Sequence, residues 1–479
     1  MNYTKFSQEG INVKKEDDLS EWYVEVVQKA EMADYSPIRG FMVIRPNAYS
    51  IWETIQKYFN EVMEKHQVRN AYFPLLIPES FFKKEAQHAA GFEPELAWVE
   101  NNDNSEERVA IRPTSETIMY DSYSKWIRSW RDLPLRINQW CNVLRWEVKQ
   151  TKPFLRTREF LWQEGHCVYA TKEECDKEVR LFLDEYKKMC EELLAIPVIE
   201  GTKTESEKFA GAYYTTTIEA LMPDGKALQM GTSHNLGQGF AKSFGISFKD
   251  EKEKDQIPWQ SSWGVSTRLI GGVIMVHGDD KGLVLPPKIA RNKMVIVPIF
   301  FKGSEEKVKK KAEEISKNFK ELNPIIDDRT EYSAGWKFNQ WELKGIPLRM
   351  EIGPRDLEKG QITLVRRDTG EKILIKESDL KKEIPKILEN IQKELLEKAK
   401  KSLEKNIIEV KSYNEFKKAI EEKKMVKVYM KEDAKTEEKI KEETGATSRC
   451  VPFDQKEKNE KCIFTGKPVK KYTLFARNY

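Results

Sequence analysis

The segment from Pro134 to Tyr169 constrains this chain more than any other. PLRINQWCNVLRWEV and FLWQEGHCVY are rich in aromatic and β-branched residues, and between them lies KQTKPFLRTRE, a stretch of Lys, Arg and Pro. Two such runs bracketing a polar, proline-bearing connection predict an antiparallel hairpin with a cationic tip. Arg145 and Glu147 fall two apart on the first strand, and Arg156 and Thr157 lie in the loop beside Lys149, Lys152 and Arg158. Cations converging on one tip are what binding a polyphosphate demands. On the return strand the two-residue alternation puts Trp162, Glu164 and His166 on one face: an aromatic wall, a carboxylate and an imidazole. The plain alternatives are a surface ion pair and a half-buried strand with a core tryptophan and a satisfied histidine.

Three other segments offer chemistry. RPTSET, Arg112 to Thr117, carries a hydroxyl at Thr114 and a carboxylate at Glu116, which face the same way if the segment is extended. They suit a cationic amine, although a turn capping a helix is the simpler use of such residues. In SSWGVSTRLIGGVIMVHGD, Arg268 opens an apolar stretch with Gly271, Gly272 and His277. A buried arginine there needs an anionic partner, and ATP phosphate would be one. ALQMGTSHNLGQGFAKSF sets Gln229, Thr232, Ser233 and His234 next to glycines that let the backbone approach a ligand.

The chain of 479 residues is long enough for several cores. Residues 1–285, rich in aromatics, read as a mixed helical and strand catalytic body. A helix after Pro46 carries Trp52, Ile55, Phe59, Val62, Met63 and His66 on one face and runs into AYFPLLIP, read as an apolar strand. Residues 290–400 alternate strand and helix, the mark of a small α/β domain. Pro298 in its first strand suggests an edge or a bulge, and SEEKVKKKAEEISKNFKEL reads as a helix capped by Ser304. An amphipathic helix from Asp379 to about Lys405 leads into a third unit, 405–479, whose Lys- and Glu-dense residues 415–445 read as loosely ordered. With Lys+Arg 82 against Asp+Glu 78, a net charge of +4 predicts no partner by itself. Six scattered cysteines fit reduced thiols, and no apolar run is long enough to span a bilayer, so no membrane contact is expected and a cytoplasmic protein is.

Together these segments resemble the class II aminoacyl-tRNA synthetases, and specifically the prolyl family of the archaeal and eukaryotic type. FPLLIP around Pro74 resembles the first motif, VLRWEVKQTKPFLRTREFLWQEGH the second and WGVSTRLIGGVIMVHGD the third; RPTSET, TSHNLGQGFAKSF and TLFARNY are the prolyl-type surroundings. The resemblance implies an α+β catalytic domain, an antiparallel sheet flanked by helices. An α/β anticodon-binding domain and a small α+β C-terminal domain follow. It implies ATP with Mg²⁺, proline and tRNA(Pro) as substrates, a homodimer built through the first motif, and ligation of proline to the terminal adenosine. Arg145 would span the α-phosphate and the proline carboxylate; Glu147, Arg156, Thr157, Thr232 and Ser266 would hold the nucleotide, and Arg268 the γ-phosphate. Gln229 would help place Mg²⁺. Thr114, Glu116, Trp162, Glu164, His166, Phe209 and His234 would form the proline pocket. Lys337, Glu342, Arg349 and Arg355 would meet the anticodon, with Trp336 and Glu351 in the same segment.

The family's C-terminal domain often carries a four-cysteine zinc site. Here Cys450 and Cys462 stand near the expected places and Thr465 stands where CxxC spacing needs another cysteine, so no zinc is expected. Threonyl and seryl synthetases share much of the architecture, but Trp162, Phe209 and His166 around an acid suit a pyrrolidine better than a metal-binding threonyl pocket. A synthetase-like binding protein without catalysis would be expected to lack one of Arg145, Glu147 or Arg268, and all are present. The stretch between the second and third motifs leaves no room for an editing insertion.

Overall fold

Pro46 occupies the first turn of the helix Pro46–Lys65, where its missing N–H costs nothing. The helix lays Trp52, Ile55, Phe59 and Met63 into the main core, with Val62 at its margin. The computed structural model describes residues 10–86, 95–100 and 107–479. Among these, no helix is long and apolar enough to cross a membrane.

The hairpin forms as the sequence implies: Leu135–Leu144 runs antiparallel to Glu159–Tyr169, with Leu144 opposite Glu159. Arg145 and Glu147 lie beyond the end of the first strand rather than on it. The loop is fixed by apolar residues at its tip, where Phe154 and Leu155 are buried among the main-core side chains. Leu155 packs on Gly271, where a Cβ would come within 2.6 Å of it. Glycine there lets the helix Arg268–His277 close against the loop.

The hairpin belongs to an eleven-stranded sheet. From one edge the order is Ile407–Glu409, Met425–Val428, Thr473–Asn478, Ala446–Pro452, Ile199–Thr202, Tyr214–Leu221, Lys226–Gly237, Trp259–Ser266, Glu159–Tyr169, Leu135–Leu144 and Arg69–Asn70. The run from Ile199 to the hairpin is antiparallel, and Arg69–Asn70 joins it in parallel. The third unit has its own core around Phe416, Val426, Ile440 and Phe475, yet its strands extend the catalytic sheet. Its Lys- and Glu-dense stretch is not loose: it holds the helices Tyr413–Glu421 and Ala434–Thr444 and the strand Met425–Val428. Their apolar faces pack inward while most of the charges stay in solvent; Glu437 is buried against Thr204 and Ser448.

The second unit is a five-stranded mixed sheet in the order Ile325–Ile326, Met294–Pro298, Leu348–Ile352, Gln361–Arg366, Lys372–Lys376. Met294–Pro298 is an interior strand, not an edge; Pro298 is tolerated because it is the last residue of the strand. Ser304 precedes the helix Glu305–Asn318, but its hydroxyl donates back to the Phe301 carbonyl and caps no helical N–H. The helix Leu380–Lys405 buries Ile384, Leu388, Ile391 and Leu395. Gln392 on it donates to the carbonyls of Glu192 and Leu193, tying the helix to the catalytic body.

AYFPLLIP forms a strand only at Leu76–Pro78, which pairs with Val109–Ile111. Tyr72 and Leu76 remain 72% and 41% exposed.

Candidate active site

The sheet face beneath the hairpin loop encloses a cavity of about 440 Å³. Every residue expected from the sequence to contact proline or nucleotide lines it: Thr114, Glu116, Trp162, Glu164, His166, Phe209 and His234, and Arg145, Glu147, Arg156, Thr157, Gln229, Thr232, Ser266 and Arg268. Alternation turns Trp162, Glu164 and His166 on Glu159–Tyr169, and Thr232 and His234 on Lys226–Gly237, to one face, and a bulge between Gln229 and Gly231 adds Gln229.

One end is acidic and sealed. Ser115 precedes the helix Glu116–Trp126, so RPTSET is a turn entering a helix and not an extended segment. The turn still brings Thr114 and Glu116 together, because the threonine hydroxyl donates to the Glu116 carboxylate. Glu164 Oε2 lies 3.0 Å from His166 Nε2, and Glu164 Oε1 accepts from Gln139 Nε2 at 3.1 Å. Burial alone would raise the Glu164 carboxyl, but these hydrogen bonds and His166 hold it below its ordinary value. For His166 burial works downward, and the neighbouring Glu164 and Glu116 carboxylates outweigh it, raising the imidazole. His234 differs: burial, with His166 and Lys203 nearby, lowers it to about 3. It is therefore neutral, bonded to Thr215 Oγ1 at 2.9 Å and set against the Phe209 ring. Trp162 forms the remaining wall, its indole N–H donating to Cys141 Sγ at 3.2 Å.

The other end is cationic. Arg145 Nε donates to the Pro113 carbonyl at 2.7 Å, which aims the guanidinium along the cavity. Arg268 donates to the carbonyls of Leu155 and Gln229, each at 3.3 Å. Burial lowers Arg268 to about 10, with Glu219 opposing and Arg449, Arg156 and Arg145 adding to the effect; it stays charged at neutral pH. Arg156 and Glu147 are exposed, and the Thr157 hydroxyl is taken by the Glu159 carbonyl at 2.7 Å. Arginines at one end and carboxyl groups at the other fit a ligand with a polyanionic tail and a cationic head.

Gln139, Tyr120 and Thr215, which fix Glu164, His166 and His234, were not singled out from the sequence. Alternation could have found Gln139, since Gln139 and Cys141 stand opposite Glu164 and Trp162 in register. Thr215 stands opposite His234 in the same way, whereas Tyr120, on the helix Glu116–Trp126, left no such signal.

In the second unit the expected RNA-facing residues separate. Lys337 is buried with its ammonium on the Asp327 carbonyl, and Arg349 is buried between Glu342 and Glu351 at 2.8 and 3.0 Å. These three, with Glu351, are internal pairs rather than a displayed surface. Arg355 is exposed, and Trp336 stacks on Tyr332 at 3.8 Å with the Arg329 guanidinium against both rings. In the third unit Cys450 and Cys462 are buried in different apolar clusters. Among the described residues no group of His, Cys, Asp and Glu is arranged to hold a metal.

Three segments of the chain match known protein families. Residues 98–277 match the class II tRNA synthetase core domain (G, H, P, S and T). Residues 293–387 match an anticodon binding domain, and 413–479 match the prolyl-tRNA synthetase C-terminal domain. The chain is 51% identical to a proline-tRNA ligase of Alkaliphilus oremlandii, over 96% of each chain. It is 49% identical to proline-tRNA ligase 2 of Clostridioides difficile and to a proline-tRNA ligase of Natranaerobius thermophilus, over 97% of each chain in both cases. Likeness at this level along nearly the whole length, joined to a cavity with acids at one end and arginines at the other, makes the chain a member of the prolyl-tRNA synthetase family of class II.

Proposed function

We propose that the chain activates proline with ATP and transfers it to the 3′-terminal adenosine of tRNA(Pro), with the residue roles that follow. The observation that carries this is the polarity of the cavity. Glu164 is already engaged by His166 and Gln139, which leaves Glu116, steadied by Thr114, as the counter-charge for the proline NH₂⁺. Trp162, Phe209 and neutral His234 supply the walls for the ring.

In the first step the proline carboxylate attacks the α-phosphorus in line, and pyrophosphate leaves. The reaction needs no protein nucleophile, so the chain contributes positioning and charge neutralisation. Arg145 bridges the carboxylate and the α-phosphate. Arg268 pairs with the γ-phosphate; Glu147, Arg156, Thr232 and Ser266 hold the rest of the nucleotide, and Thr157 fixes the return of the loop. Gln229 fits a magnesium ion held mainly by phosphate oxygens, since it adds one hard amide oxygen at the arginine-lined end. The chemistry magnesium supplies there is neutralisation of the phosphate oxygens. In the second step the ribose 3′-hydroxyl attacks the activated carbonyl and AMP leaves.

Arg355 and the Tyr332–Trp336 stack are suited to unstacked anticodon bases. Homodimer formation is supported by the edge strand Arg69–Asn70 and the apolar side chains beside it, Tyr72, Leu76 and half-exposed Trp126. A cytoplasmic location follows from the substrates. The archaeal and eukaryotic architecture without an editing insertion is supported by the span from Tyr169 to Trp259, which the helix Lys172–Lys188 and the sheet strands from Ile199 to Gly237 largely occupy. ATP–pyrophosphate exchange with each standard amino acid tests the assignment: proline should give the dominant signal, and a larger one with threonine or serine would overturn it.

A further inference from the structure

Glu219, on the strand Tyr214–Leu221, is fully buried and stands opposite Gln229 in register. The activation chemistry above makes no use of it. Its Oε2 accepts from Arg449 Nε at 3.0 Å and Nη2 at 2.8 Å, while Oε1 accepts from Lys203 Nζ and Thr217 Oγ1, both at 2.8 Å. Arg449 comes from the third unit, on the strand Ala446–Pro452 that joins the catalytic sheet through Ile199–Thr202. Its own orientation is set by Nη1 donating to Thr447 Oγ1 at 3.0 Å. Side-chain exposure is 4% for Arg449, 3% for Lys203 and nil for Glu219, so no solvent screens the cluster.

Burial would raise the Glu219 carboxyl, but Arg449 and Lys203 bring it down to about 2, so it is a fixed anion. Arg268 stands beside this cluster: it donates to the carbonyl of Gln229, the residue opposite Glu219 in register. Glu207 in the cavity wall acts electrostatically on Arg449 in turn. A guanidinium fork and an ammonium on opposite oxygens pin the carboxylate, and neither oxygen forms an ion pair with Arg268. Without the fork, the freed oxygen would turn to Arg268 and compete with phosphate for it.

We infer that Arg449, delivered by the C-terminal unit, is a positioning residue for the nucleotide end of the cavity: by holding Glu219 it keeps Arg268 and Gln229 available to ATP, so amino-acid activation depends on this unit even without tRNA. The inference rests on reading Arg268 and Gln229 as nucleotide contacts. It is tested on the full chain by proline-dependent ATP–pyrophosphate exchange, varying ATP and proline separately in Arg449→Met, Arg449→Lys and Glu219→Gln/Arg449→Met, with thermal unfolding alongside. Arg449→Met should lower kcat/KM for ATP by about tenfold or more while KM for proline stays within about twofold. Arg449→Lys should recover part of the loss. The double variant should recover more, because no carboxylate remains to divert Arg268. Equal effects on ATP and proline, or a double variant weaker than Arg449→Met, would overturn the inference. If Arg449→Met does not fold, unchanged ATP parameters in Arg449→Lys together with a defective double variant would overturn it as well. Failure of the unaltered protein to exchange with proline would strike the reading of the site and is distinguishable from any of these outcomes.

Discussion

His166 Nε2 and Glu164 Oε2 lie 3.0 Å apart with both side chains sealed from solvent, and His166 Nδ1 meets the Tyr120 hydroxyl at 3.1 Å. An ionised carboxylate only accepts, so Nε2 carries a proton and Tyr120 can serve the other nitrogen as donor or acceptor. The ring is held whichever charge it carries.

That pairing gives stability a definite pH window. Glu164 titrates below its ordinary 4.5, so its contribution is complete above 4.5 and lost as pH falls through the depressed value. His166 titrates above 6.5, so its contribution is complete below 6.5 and lost as pH rises through the raised value. The urea midpoint of the unaltered protein relative to Glu164→Gln should therefore be most favourable between 4.5 and 6.5 and narrow on either side. A difference independent of pH would show that the pair is not coupled in this way.

Arg268→Ala should nearly abolish adenylate formation while leaving tRNA binding and the unfolding transition close to normal. Removing one preorganised electrostatic group costs about 2.7–4 kcal/mol in the transition state. Pyrophosphate exchange checks the first effect and a tRNA filter-binding assay the second. Exchange near the unaltered rate would remove Arg268 from the phosphate site.

Gly165→Ala should destabilise the catalytic body. A Cβ there would come within 2.2 Å of the Trp263 ring, which stacks on Phe182 at 3.7 Å and has no room to retreat. Overpacking of this kind costs about 1–3 kcal/mol. A thermal midpoint equal to that of the unaltered protein would show that the indole can move.

In the second unit, burial separates two outcomes. Arg355→Ala should weaken tRNA charging and spare pyrophosphate exchange, because its side chain is exposed and far along the chain from the chemistry. Arg349→Ala should lower the unfolding midpoint, since it leaves Glu342 with Lys281 at 3.1 Å and Glu351 with Lys372 at 3.5 Å as their remaining cations; the loss should stay below the about 3–5 kcal/mol of a fully stranded buried charge. If Arg349→Ala impaired charging with no change in stability, the residue would have to be read as an RNA contact.

Alanine should be misactivated and its tRNA ester left uncleared. A pocket shaped for proline admits the smaller side chain, and lost apolar contact discriminates by only about 1–3 kcal/mol per methylene. Incubation with preformed alanyl-tRNA(Pro) checks this: deacylation faster than the spontaneous rate would reveal a hydrolytic site.

Much of the site was legible because it is written in short-range periodicity. Alternation on Glu159–Tyr169 puts Trp162, Glu164 and His166 on one face whatever the strand pairs with; Gln229 and Thr232, three apart, share the cavity because of a bulge that alternation does not foretell. Helix spacing likewise marked Trp52, Ile55, Phe59 and Met63 as core. Charge density misled at 415–445 and at Lys337 and Arg349. Lysines and glutamates on one side of a helix do not prevent the other from packing, and a cation in a chain of mixed signs gives no hint of an internal partner.

Sequence by itself thus determined the hairpin, its basic loop, acids and aromatics that line one end of the cavity, and the family. Only the tertiary structure decided that the C-terminal strands extend the catalytic sheet, and that Arg449 meets Glu219 across 230 residues of chain. Alternation and helical period are set by backbone geometry within a few residues, so they can be read from the order of side chains. A buried ion pair between distant segments depends on which sheet edges meet, and no local pattern carries that information.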